Sequence, residues 1–101
     1  YTCLFLFLGL GVWVRFATRG YPFSLRRTWE EAKGDREVLS IILPRITAWS
    51  LVDIDSKSIP LPPNGERPPT LVYNIDDAVV IWLIRAFWRF WRIELTVPRK
   101  N

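Results

Sequence analysis

Three arginines, Arg85, Arg89 and Arg92, recur at helical spacing among Trp82, Trp88 and Trp91 near the carboxyl end of the chain. Wound as a helix at about 100° per residue, their guanidinium groups fall within roughly 60° of one another. A planar guanidinium grips phosphate or carboxylate through paired hydrogen bonds. The stripe is therefore read as a surface for anionic phospholipid headgroups, cardiolipin among them, or for carboxylates on a neighbouring subunit. Arg15 and Arg19, which follow Trp13, form a second basic and aromatic group of the same kind.

Other chemistry is sparse. Asp53-Ile54-Asp55 has the form of a divalent-metal motif, but without a phosphate-cradling glycine loop it reads as solvated loop carboxylates. Asp76 and Asp77 would point about 100° apart on a helix, which suits capping rather than a paired acid and base. The chain has no His, which removes the usual general base and the commonest metal ligand. Its lone cysteine, Cys3, excludes an internal disulfide and sits in an apolar run as a structural thiol. No catalytic residue, cofactor, metal or small-molecule substrate is assigned.

The elements that would position the arginines are read from composition and punctuation. Half of the 101 residues are apolar and 15% aromatic, more oily surface than so small a core is expected to hide. Residues 1–19 open with fourteen uncharged positions and close on Trp13, Arg15 and Arg19. That belt marks the end of a transmembrane helix, short of the usual span of about 20 residues and so expected to continue upstream of Tyr1. Gly9 and Gly11 leave a notch for a packed helix.

Residues 20–55 form a basic, amphipathic, membrane-proximal segment. Gly20 to Pro22 break the first helix, Thr28-Trp29-Glu30-Glu31 has capping-box form, and a helix is expected from Trp29. Gly34 ends it, and Asp35 caps another carrying Val38, Leu39, Ile42, Ile46 and Trp49 at helical spacing, kinked at Pro44, with a strand reading left open over residues 40–54. Residues 56–73 hold five of the eight prolines and form an extended strap. Residues 74–101 form a capped interfacial helix over 78–95, stopped by Pro98 and followed by a polar tail.

The fold class expected is thus mostly α, with one amino-terminal transmembrane helix, short amphipathic helices, a proline-rich strap, a Trp/Arg helix at the membrane surface, and no globular core of its own. This layout resembles, in general form only, the supernumerary subunits of mitochondrial respiratory complexes and ATP synthases. That resemblance implies a non-catalytic accessory role in assembly, bracing and lipid retention at the inner membrane, the segment after the first helix facing the matrix. A small subunit of a thylakoid complex and an RNA-contacting subunit of an organellar ribosome are the alternatives. Nucleic acid is disfavoured because stacking platforms usually stand on a folded sheet or barrel.

Overall fold

The uncharged amino-terminal run folds as two strands, not as a helix. The computed structural model describes residues 2–7, 10–63 and 65–95, with positions 5–7, 10 and 94 described as backbone alone. Strand β1 (Thr2–Phe7) pairs antiparallel with β2 (Leu10–Phe16) in a register running from Thr2 opposite Arg15 to Phe7 opposite Leu10. The reason is visible along β2. Val12, Val14 and Phe16 are buried, whereas Trp13 is half-buried and Gly11 and Arg15 are exposed, which is the period of two that a strand with one covered face requires. No helix among the described residues is long and apolar enough to cross a membrane. The expected span over residues 1–19 is corrected accordingly.

The next helix, α1, also departs from its expected start. It covers Leu25–Glu31, following Ser24 rather than beginning at Trp29. Thr28 lies inside it, its hydroxyl donating to the Ser24 carbonyl at 3.3 Å, so the residues of the apparent capping box do not cap. Helix α2 (Asp35–Ile42) follows Gly34, whose φ of +82° is a conformation that residues with a Cβ adopt at a cost. The Glu37 carboxylate accepts from the Lys33 amide at this end.

Pro44 then falls in a 3-10 turn (Leu43–Arg45), after which the chain extends into β3 (Ile46–Trp49). β3 pairs antiparallel with β2, giving a three-stranded sheet in the order β1-β2-β3. The strand reading left open over residues 40–54 is thus realised over these four residues.

The proline-rich segment lies against β3. Trp49 Nε1 donates to the Ile59 carbonyl at 2.8 Å, and the Arg67 guanidinium reaches carbonyls of both the strap and the β3 entry. A 3-10 turn (Pro69–Val72) leads to α3 (Asp77–Arg89), capped by Asp76, whose carboxylate accepts from the Ala78 amide at 3.0 Å. A π-helical turn (Phe90–Glu94) continues α3. The expected stop at Pro98 and the polar tail lie outside the described residues.

Helix α3 lies across the face of the sheet that carries Val14 and Phe16. Phe16 packs edge-on to Phe87 with ring centroids 5.4 Å apart and stacks on Phe90 at 5.5 Å. Leu39, Ile42, Leu43 and Ile46 from the middle of the chain and Val79 and Leu83 from α3 are buried in the same cluster. Full burial of each large apolar side chain contributes about 1.5–3 kcal/mol. The radius of gyration, 13.7 Å, is close to the ~13 Å of a folded 100-residue domain. The expectations of a mostly α chain without a core of its own are therefore corrected: the fold is three short helices on a three-stranded antiparallel sheet, and the oily residues assigned to lipid or partners largely shelter one another.

Candidate functional site, the outer face of α3

Packing decides which part of α3 remains available. Val79, Leu83 and Phe87 face the core, so the opposite side presents Ile81, Arg85, Trp88 and Arg89. Arg85 and Arg89 are exposed and make no ion pair among the described residues. Between and beside them, Ile81 is 40% and Trp88 44% exposed, so the face combines exposed cations with uncovered apolar surface.

The third arginine of the stripe is used differently. Arg92 is half-buried, and its guanidinium carbon sits 5.8 Å from the Trp88 ring centroid and 5.2 Å from that of Trp91. The π turn accounts for the change of direction: the Leu95 amide donates to the Phe90 carbonyl at 2.7 Å, five residues back, and this wider turn shifts the helical phase beyond Arg89. Trp91 is buried and Trp88 stacks on Trp29 at 5.5 Å, so the indoles expected to meet a ligand are in part internal. Trp82 is half-buried.

Arg15 and Arg19 do not join this face. Arg15 alternates with Val14 and Phe16, which places it on the side of the sheet away from α3, where its Nε donates to Thr2 Oγ1 at 3.3 Å and its guanidinium lies 5.6 Å from the Trp13 ring. Arg19 is exposed in the loop after β2. The arginines grouped by residue type thus occupy different surfaces.

A groove of about 400 Å³ was not foreseen. Thr2, Cys3 and Leu4 of β1 form one wall, and Trp82, Arg85 and Arg89 of α3 form the other. It joins residues some eighty positions apart, a juxtaposition that no local pattern reports. A second depression, about 420 Å³, carries Asp53 and Asp76 on its lining. Both carboxylates serve the backbone: Asp53 Oδ1 accepts from the amides of Asp55 at 2.8 Å and Lys57 at 3.0 Å, and Asp76 caps α3.

Tyr21 and Arg45 form a polar pair against the aromatic cluster. The Tyr21 hydroxyl donates to the Ala17 carbonyl at 2.8 Å, and the Arg45 guanidinium lies 5.6 Å from the Tyr21 ring centroid while donating to the Ile41 carbonyl at 2.7 Å. Burial pushes the Tyr21 hydroxyl up from 10.0 to about 12, opposed by the Arg45 charge. Burial also lowers the Arg45 guanidinium from its usual range, opposed by Tyr21.

The folded state holds the Tyr21 proton more tightly, so this contribution is complete below pH 10 and is lost as pH rises through about 12. Tyr21→Phe should therefore show a smaller fall in melting temperature across that interval than the parent chain. Equal losses in the two proteins would remove Tyr21 from the account.

No family model, no curated protein and no solved structure matches this chain.

Proposed function

We propose that this chain is a non-catalytic accessory subunit of a larger assembly, held there by docking of the outer face of α3 on a partner surface that carries carboxylates. The observation that carries the reading is the pairing, on one helix face, of exposed Arg85 and Arg89, which make no ion pair among the described residues, with exposed Ile81 and Trp88. Tryptophan and arginine are enriched at the centres of protein interfaces, where the indole supplies apolar area and the guanidinium supplies directed hydrogen bonds. The commitment of Asp53 and Asp76 to backbone caps and the absence of His support a binding rather than a catalytic role.

Anionic phospholipid, including cardiolipin, offers the same guanidinium groups a phosphate in place of a carboxylate. Oily surface in need of shelter and an amino-terminal span are what would favour a bilayer. Residues 2–7 and 10–16 fold as strands and the core covers most of that surface, so the accessory role and the arginine chemistry are proposed without the transmembrane helix expected over residues 1–19.

The test places a photo-crosslinking amino acid at Trp88 in the full chain, expressed in its source cells. A discrete protein adduct at a carboxylate-rich peptide is expected, with its yield reduced at least tenfold by Arg85→Gln combined with Arg89→Gln. Absence of a protein adduct, or flotation of the chain on phosphatidylglycerol vesicles at physiological salt, would overturn the reading.

A further inference from the structure

We propose that the groove between β1 and α3 receives an extended acidic segment of the partner, which adds to β1 as a fourth strand and places alternate carboxylates against Arg85 and Arg89. The proposal rests on the docking role above and names the chemistry of the docked element.

Three observations converge on this partner. First, β1 is an edge strand among the described residues: the sheet order is β1-β2-β3, with β1 at the end. The far edge, β3, is overlain by the strap through the bonds of Trp49 and Arg67. β1 itself carries no charged residue and no proline, the usual features that discourage further pairing.

Second, the groove runs over that edge. Consecutive strand residues point to opposite faces, yet Thr2, Cys3 and Leu4 all line it, so the depression follows the rim of the sheet. An edge strand facing a helix is an arrangement that receives peptides by strand addition, main-chain bonds giving affinity and side-chain sites giving selectivity.

Third, the spacing fits. Arg85 and Arg89 are four residues apart on α3, about 6 Å along its axis. Alternate residues of an added strand recur every ~6.7 Å on one face. A segment with carboxylates at positions i and i+2 therefore repeats its charge at about the interval at which α3 repeats its arginines. Residues 1–29 contain no acidic side chain, so nothing on the strand side repels such a segment. Leu4, 66% exposed, offers apolar surface to the intervening side chains.

The probe is a capped octapeptide of alternating Glu and Val, titrated into the isotopically labelled full chain. Perturbation of backbone amides in β1 and of Arg85 and Arg89 is expected, with affinity falling as salt rises. Arg85→Gln with Arg89→Gln should weaken binding at least tenfold. Arg26→Gln with Arg27→Gln, which removes equal charge from exposed α1, should leave it within about twofold. The same peptide N-methylated at every second residue, which cannot make the strand bonds, and its Lys-for-Glu counterpart should each bind at least tenfold more weakly.

Equal binding of the N-methylated peptide, equal weakening by the α1 variant, or no binding would overturn strand addition. A persisting arginine-dependent adduct at Trp88 would then show that docking survives without it, and loss of both results would remove docking as well.

Discussion

Phe87→Ala is expected to remove a large share of the cooperative stability of the protein. Phe87 is fully buried and touches four rings besides its aliphatic neighbours: Phe16 at 5.4 Å, Tyr21 at 6.2 Å, Trp29 at 5.7 Å and Trp91 at 5.9 Å between centroids. These rings come from β2, the loop after it, α1 and the π turn, so one side chain joins elements from both ends of the chain. Truncating a buried Phe costs about 3–5 kcal/mol, because the surrounding rings cannot close the cavity.

Against a total of about 5–15 kcal/mol for a typical domain, that loss is large. Thermal unfolding followed by circular dichroism should show a fall of about 20 °C in melting temperature, with loss of the near-ultraviolet signal of the tryptophans. Phe87→Leu should lose a minor part of this. An unchanged melting curve for Phe87→Ala would mean that the cluster does not hold the fold together, and would return the question of what covers these residues to lipid or partners.

The sequence carried some of this architecture openly and hid the rest for identifiable reasons. The start of α3 was legible because Asp76 and Asp77 precede an apolar run, and the side chain of Asp76 does cap it. Its inward face was not. Both the buried set (Val79, Leu83, Phe87) and the exposed set (Ile81, Trp88) are apolar, so periodicity alone could not separate core from surface.

At the amino terminus, the alternation from Gly11 to Phe16 follows residues that are apolar on both parities, so the length of the apolar run masks its period. The Ser24 start of α1 was obscured by the better-known pattern at Thr28, which lies mid-helix. As for the candidate site, the arginine stripe picks out Arg85 and Arg89, which the fold leaves exposed. It could not foresee the π turn that folds Arg92 over Trp88 and Trp91, or the β1 wall, since both depend on tertiary placement.

Arg67→Ala is expected to release the strap, and its effect should differ in kind from that of Phe87→Ala. The Arg67 guanidinium donates to the carbonyls of Pro62 at 2.8 Å, Pro63 at 3.2 Å and Leu43 at 3.0 Å, and also to that of Ile46. Two of these acceptors lie in the strap and two at the turn into β3, so one planar fork ties a segment without regular hydrogen bonding to the sheet. No local pattern announces this, because Leu43 and Ile46 are 24 and 21 residues away.

Removing the fork strands partly covered carbonyls at about 1–3 kcal/mol each where water cannot replace the donor, giving an expected loss of about 2–4 kcal/mol. Because α3 and its core contacts are untouched, hydrogen exchange should rise most over residues 50–68 and β3, and least over Val79 to Phe87. Arg67→Lys should not restore protection: an ammonium is a point charge that cannot present donors in one plane to carbonyls on two sides. Full rescue by lysine would show that charge near these carbonyls, rather than the planar fork, holds the strap in place.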